Sequence, residues 1–294
     1  MHTITLGNVE VTALLDLPMQ SDPQLLMREP SGQLVQASQI VAEYGHLLDA
    51  NGLLPMSFTY YLVRSEHKTI LVDTGVGTRS GRQSRLDKAL LDMQVAPEDI
   101  DLVVLTHLHS DHVGWNTVDA GDGTPRVFFP RAQFLVQQTE WDYWMRPKFL
   151  THPEFKYLTQ CVLPLQETGH LQFVEPDAAL TADLTLRPLA GHTPGQVGIE
   201  IASAGQKASI IADVSHHPMQ IDHPEWSLDN PPYWSADDPE ASRLVEVDVA
   251  QAIATRTRIF NEAADDGRLL MTCHWNYPSM GRIRRRNGKL FFEG

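Results

Sequence analysis

Residues 107–112 read His-Leu-His-Ser-Asp-His, three imidazoles and a carboxylate within six positions. Imidazole nitrogen and carboxylate oxygen are the donors that a borderline dication such as Zn2+ accepts. The two cysteines, Cys161 and Cys273, stand far apart with no Cys-x-x-Cys spacing, so they read as reduced, mostly buried thiols and not as ligands. His107 and His109 are two apart in extended or looped backbone, so their rings converge only if the loop curls round a common point. Asp111 and His112 follow at once. Four candidate ligands from one loop exceed what a single four-coordinate ion takes from one segment, which suggests two ions side by side. With thirteen histidines in the chain a lone His-x-His would carry little weight, but the full cluster carries much more.

Such a centre needs ligands from elsewhere, each at the end of a rigid strand. Three places offer one. LRPLAGHTPGQVGI puts His192 just after a strand, in a glycine-proline-glycine turn expected to let the backbone approach the ion closely. KASIIADVSHH ends an apolar run on Asp213, and RLLMTCHW ends another on His274. Each has a plain structural use when taken alone: an exposed turn histidine, an Asx-turn aspartate, a hydrogen-bonded core histidine.

The elements that would hold these residues follow from hydropathy patterning. Leu102 to Leu105 is a short, fully apolar strand that delivers the histidine cluster at its carboxyl end. Antiparallel ribbons are expected around Gly7-Asn8 and over 58–75 with a turn near Glu66, and a last hairpin turning at Asn287-Gly288. Leu86, Leu90 and Met93 recur at helical spacing, and Val249, Ile253, Phe260 and Ala264 mark one face of a strong helix before strand Leu269 to Cys273. Further strands are expected at 127–129, 133–136, 171–174, 184–189, 196–202 and 207–212, with helices near 137–145 and 154–166. Residues 18–56 read as a long Pro/Gly-punctuated loop with one weak helical patch, a candidate lid. With no repeat and no linker, 1–294 reads as a single domain.

Composition narrows the partners. A formal charge of −14 disfavours nucleic acid and anionic membranes, and the basic run Arg282, Arg284, Arg285 and Arg286 reads as a solvated hairpin. No run of about 18 apolar residues and no basic leader is present, so a cytoplasmic location and a small-molecule substrate are expected, for a monomer or homodimer. Trp226, Tyr233 and Trp234 in the loop 219–240, and Trp141, Tyr143, Trp144 and Phe149 upstream, suit an apolar or aromatic acyl or leaving group. A core stripe or a subunit contact explains any single ring as well.

The ordered set HLHSDH, GHTPG, IIAD and CHW, within a stretch from Asp73 to His274, resembles the metallo-β-lactamase-fold hydrolase superfamily, in the order of its dinuclear lactonases and their methyl-parathion-hydrolase-like relatives. The resemblance implies an α/β fold, a four-layer αββα sandwich of two mixed β-sheets flanked by helices. It implies His107, His109 and His192 on one metal, Asp111, His112 and His274 on the other, and Asp213 between them. Two divalent ions are implied, Zn2+ foremost, with Mn2+, Co2+ or Fe2+ as other occupants. Asp73 resembles the family's aspartate that orients a ligand without binding metal, although it reads equally as a turn former before Gly75. The implied reaction is attack of a metal-bridging hydroxide on a small lactone or ester, acyl-homoserine lactones included, with Asp111 passing a proton to the leaving group. Organophosphate triester hydrolysis and β-lactam hydrolysis are the alternatives. A non-catalytic metal-binding protein is disfavoured because no ligand is missing. True β-lactamases often carry Cys at the bridging position, and di-iron dioxygen-handling members usually carry Glu where His109 stands, so Asp213 and His109 favour ester hydrolysis over both. Many acyl-homoserine lactonases place a carbonyl-holding tyrosine three residues after the bridging aspartate; here His216 stands there, followed by His217. His216 is therefore expected to act as electrophilic donor or proton shuttle.

Overall fold

The computed structural model describes residues 1–23, 27–79, 81–228 and 245–293. Its order opens with β1 (His2–Leu6), β2 (Val9–Ser21), β3 (Met27–Arg28), α1 (Ala37–Tyr44), β4 (Leu54–Ser65), β5 (Lys68–Val72), α2 (Leu86–Asp92) and β6 (Leu102–Val104). A middle section follows with β7 (Thr117–Asp119), β8 (Pro125–Val127), β9 (Gln133–Gln137), α3 (Gln138–Trp144), α4 (Pro147–Leu150), a π-helical turn (Leu158–Val162), α5 (Leu163–Glu167) and β10 (Leu171–Val174). The second half holds β11 (Leu184–Pro188), β12 (Val197–Ser203), β13 (Gln206–Ala212), β14 (Ser227–Leu228), α6 (Val249–Asp266), β15 (Leu269–Thr272), β16 (Met280–Arg286) and β17 (Lys289–Glu293).

Seven strands form one mixed sheet in the order β1-β2-β4-β5-β6-β9-β10, and six form a second in the order β11-β12-β13-β15-β16-β17. Their facing sides share a core in which Val11, Tyr61, Val63 and Val104 pack with Ile199, Ile210 and Met271. The outer face of the first sheet is covered by a cluster that includes Leu86 and Leu90 of α2, Trp141 and Trp144 of α3, and Leu165 of α5. Ile259, Phe260 and Ala263 of α6 cover the second. This is the α/β sandwich expected from the motifs. Strands β6 and β15 and the last five residues of β13 are largely buried, which is why they read as mainly apolar runs. All three end toward the same region, where the candidate ligands lie.

Three expectations need correction. Residues 18–56 are not one long loop: β2 runs on to Ser21, β4 starts at Leu54, and the segment between holds β3 and α1 around its own core of Met27, Ile40, Tyr44, Met219 and Trp226. Pro18 is tolerated in β2, and it stands just past a register shift between Leu15 and Leu17. The strand expected at 127–129 is β8, which stops at Val127. The buried face of α6 is Ala252, Thr255, Arg256, Ile259, Phe260 and Ala263, so of the four residues expected there only Phe260 is fully buried. Among the described residues no helix is long and apolar enough to cross a membrane.

Candidate metal centre

After β6 the chain leaves the sheet through Leu105-Thr106 into the HLHSDH loop, and buried carboxylates pin that turn. Asp73, just past β5, accepts from Thr106 N and Thr106 Oγ1, each at 2.7 Å, and its Oδ2 lies 2.8 Å from His112 Nδ1. It stands at φ 60°, a left-handed conformation that costs a non-glycine residue about 1–2 kcal/mol. Glu140, in the first turn of α3, accepts from Leu108 N at 2.9 Å, Gly195 N at 2.9 Å and the Trp144 indole at 2.7 Å. One carboxylate thereby fastens the HLHSDH loop to the loop carrying His192. At the end of β13 a bulge between Ile210 and Ala212, with Ala212 at φ 45°, turns Asp213 out of the ladder.

The ring orientations follow from the outer partners, as assigned from the hydrogen-bond network. Thr106 Oγ1 donates to Asp73, so at 3.1 Å it must accept from His107 Nδ1–H, which leaves a lone pair on His107 Nε2. His192 Nδ1 is 3.0 Å from the Glu246 carboxylate, so it too carries its hydrogen on the outside. His112 Nδ1 does the same toward Asp73. Three Nε2 lone pairs therefore point inward, where Asp213 Oδ2 lies 3.7 Å from His107, 3.4 Å from His192 and 3.4 Å from His112. His109 Nδ1 sits 3.1 Å from His107 Nε2 and 2.9 Å from His192 Nε2. His274 Nε2 is 3.1 Å from Asp213 Oδ2 and 3.5 Å from Asp111 Oδ2, the latter also 3.5 Å from His112 Nε2. Where the inward lone pairs of His107, His192 and His112 face the Asp213 carboxylate at these distances, acceptor meets acceptor and they repel unless a proton or a cation lies between them. Consistent with that, His112 Nε2 and Asp213 Oδ1 are buried without a hydrogen-bond partner. Among the described residues the donors form four overlapping groups: His107, His109, His192 and Asp213; Asp111, His112 and His274; Asp213, His216 and His274; and Asp73, His112 and Cys273.

The charges within the cluster say the same. Burial, reinforced by the other imidazoles, pushes His107 and His109 well below the usual histidine range, so both offer lone pairs. Burial opposes protonation of His112, but the carboxylates of Asp213, Asp111 and Asp73 outweigh it and hold its pKa well above normal. Burial would raise the carboxyl of Asp213, yet His274 and His112 hold it well below its usual range. This cluster would exchange a proton for a metal cation.

Every candidate ligand singled out in the sequence is in this cluster: His107, His109, Asp111, His112, His192, Asp213 and His274. His216 joins it, with Nε2 3.3 Å from Asp213 Oδ2, its ring stacked on His274 at 5.3 Å and Nδ1 buried without a partner. Burial lowers its pKa to about 4. His217 turns away: its Nδ1 accepts from Met219 N at 3.3 Å and caps the short helical turn Pro218–Ile221. The glycines flanking His192 also permit close contacts with two helices. A Cβ on Gly195 would lie 2.2 Å from Glu140 N, and one on Gly191, at φ 143°, 2.5 Å from Ala252 N, so the close approaches are to α3 and α6.

A cavity of about 560 Å³ opens over the cluster, with His109, Asp111, Asp213, His216 and His274 among its lining and Phe58, Val76, Tyr157 and Leu228 supplying apolar surface. The aromatic residues singled out upstream do not line it. Trp141, Trp144 and Phe149 are core, with Trp144 packed edge-on against His109 at 5.2 Å, and Trp226 stacks on His223 at 3.8 Å. Tyr233 and Trp234 lie outside the described residues. Sequence reasoning missed the buried Glu246–Arg256 ion pair behind His192, the anchoring role of Glu140, and Tyr157. Arg256, a cation inside the apolar face of α6, was the one visible signal of such a pair.

The sequence profile described as "Metallo-beta-lactamase superfamily" matches residues 59–250. An N-acyl homoserine lactonase of Bacillus thuringiensis is 26% identical over 184 residues, covering 55% of this chain and 64% of that protein. A second, from a Bacillus species, is 27% identical over 169 residues, covering 51% and 60%. The aligned part thus spans less than two thirds of these relatives. Among solved structures, the hydrolase AbOPH of the beta lactamase superfamily superposes with a TM-score of 0.80 at 24% identity, covering 99% of this chain and 96% of that one. AidC, a dizinc quorum-quenching lactonase in complex with the product N-hexnoyl-L-homoserine, gives 0.78 at 23% identity with the same coverage. With the profile spanning well over half its length and the sandwich carrying a His/Asp cluster at the strand ends, the chain belongs to the metallo-beta-lactamase superfamily.

Proposed function

We propose that this protein is a dinuclear metal-dependent hydrolase of small lactones or esters, with residues 1–294 acting as one domain. The observation that carries the reading is the set of inward lone pairs around Asp213, fixed by Thr106, Glu246 and Asp73 from outside. His107, His109 and His192 would hold one ion, Asp111, His112 and His274 the other, and Asp213 would serve both. An all nitrogen-and-oxygen donor set fits Zn2+, since burial keeps the Cys273 thiol protonated. Bound there, two dications supply the positive charge that makes hydroxide available near neutral pH and draws electron density from the substrate carbonyl.

The chain's own groups do the rest. Asp111, a carboxylate held ionised against its burial by His112 and His274, is the candidate ligand whose side chain keeps 24% exposure toward the cavity, which suits it to take up the proton of the attacking hydroxide and pass it to the departing oxygen. His216, neutral and with its Nε2–H toward Asp213, presents a lone pair at Nδ1, so it accepts a hydrogen bond more readily than it donates one. Phe58, Val76 and Leu228 keep water off the acyl part. The activity named for the Bacillus relatives supports a lactone, and acyl-homoserine lactones head the candidates.

Zinc-loaded protein assayed against acyl-homoserine and simple lactones, aryl esters, phosphotriesters and β-lactams tests this. Lactones are expected to give the highest kcat/KM, on the order of 10⁴ M⁻¹s⁻¹ or more. No turnover of any lactone or ester would sink the proposal, and faster phosphotriester cleavage would replace the substrate class.

A further inference from the structure

Tyr157 stands immediately before the π-helical turn Leu158–Val162 and lines the same cavity as Asp111, His216 and His274. Its hydroxyl is shielded from solvent and has no hydrogen-bond partner. A buried hydroxyl left unpaired is costly, and a cavity wall that keeps one has a donor to offer whatever binds there. Burial first, then the carboxylates of Asp111 and Glu140, hold the phenol well above its usual pKa, so it keeps its proton.

The backbone around Tyr157 is built to hold it there. Pro164 has no N–H to give Gln160 O, the bond an α-helix would make, and the hydroxyl of Thr117 takes that carbonyl at 2.7 Å instead. Leu163 N bonds back to Leu158 O, five residues away, which widens the turn. Arg79 Nη1 clamps Thr117 from the other side, 2.7 Å from Oγ1 and 3.2 Å from O. A widened turn fixed by a side chain from β7 is a rigid mount for the residue at its start.

We propose that Tyr157 donates its hydroxyl hydrogen to the carbonyl oxygen of the bound lactone or ester, which makes it a catalytic residue of the reaction inferred above, on which this step rests. Negative charge grows on that oxygen during attack, and a fixed neutral donor in a water-poor wall stabilises it without reorganising. The phenol keeps its proton throughout. His216 cannot fill this role while its one N–H faces Asp213.

Tyr157→Phe, loaded with zinc beside the parent, tests the assignment. Metal content is expected to be unchanged, and the melting temperature equal or higher because an unpaired hydroxyl is removed. The kcat is expected to fall roughly a hundredfold, the scale for losing one oxyanion donor, with KM changed by less than about threefold. Affinity for methylphosphonate, a tetrahedral anion that needs no turnover to be read, is expected to weaken about tenfold by calorimetry. A kcat within about threefold of the parent together with unchanged phosphonate affinity overturns the assignment. So does a lower melting temperature with metal loss, since the ring would then be a structural prop. If the parent turns over no lactone or ester but the variant still loses phosphonate affinity, the donor role stands and the reaction class fails; if neither effect is seen, both fall.

Discussion

Replacing Glu246 by Gln is the sharpest perturbation of the centre that touches none of its proposed ligands. Glu246 Oε2 takes His192 Nδ1 at 3.0 Å, and Oε1 takes Arg256 Nη2 and, at 3.2 Å, Ser227 Oγ. Burial opposes its ionisation, but Arg256 and then His192 hold its pKa far below the usual range, so it is a carboxylate with acceptors on both sides. An amide has one acceptor and one donor end. If its oxygen keeps Arg256 and Ser227, its NH2 faces His192, which must then move its hydrogen to Nε2 and lose the inward lone pair. Metal affinity should fall about 10–100-fold, the range found when the outer partner of a ligating histidine is lost. If the oxygen turns to His192, the NH2 meets the Arg256 guanidinium in a site where both residues are 1% exposed. That leaves a buried cation without its counter-ion at a cost of about 3 kcal/mol, or roughly 5–10 °C in melting temperature. Zinc competition against a chelator, with urea unfolding of the metal-free protein, reads both branches. A variant within about threefold of the parent in metal affinity and within about 1 kcal/mol in stability would refute the tautomer argument.

Asp73→Ala removes the acceptor of His112 Nδ1 and of Thr106, so the Asp111–His112–His274 group should lose metal affinity by about 10–100-fold; metal analysis after dialysis against graded chelator checks it, and full retention would contradict the role of Asp73. Gly195→Ala forces a Cβ to within 2.2 Å of Glu140 N, so the His192 loop must shift off α3; overpacking of this kind costs about 1–3 kcal/mol, and unfolding curves with unchanged midpoints would count against it. His217 is held to a pKa of about 3 by burial, below its unfolded value of 6.5, so the unfolded chain binds its proton first as pH falls. Its contribution is intact above about pH 6.5 and erodes toward pH 3, by about 2 kcal/mol at pH 5. His217→Gln should therefore flatten the acid limb of stability measured by urea unfolding between pH 7 and 5, and parallel curves for parent and variant would exclude this.

Much of the fold and of the cluster was legible because the chemistry sits at strand ends. Leu102–Val104, Leu269–Thr272 and the buried part of Gln206–Ala212 are followed within three residues by the candidate ligands His107, His274 and Asp213, and an apolar run leading into His or Asp is a visible pattern. What sequence could not supply was the outer support. Glu140 looks like any acid in a first helical turn, and only the packing of α3 against two loops makes it an anchor. Glu246 lies 54 residues from His192 with no spacing rule to link them. Residues 18–56 were misread because Pro18 and a weak pattern resemble a loop, whereas pairing of β2 with β4 carries the strand on to Ser21. His216 and His217 are neighbours with opposite fates: Gln220 Oε1 accepts from both backbone N–H groups, and it is Met219 N–H that engages the His217 ring and turns it away.

The central claim is that two divalent ions share Asp213. Titrating the metal-free protein with zinc while following lactone hydrolysis tests it most directly. Activity should be absent without metal and reach its plateau at two ions per chain, with Asp213→Ala failing to hold the pair. Full activity in the metal-free protein, or a plateau at one ion with the second never binding, would contradict the account.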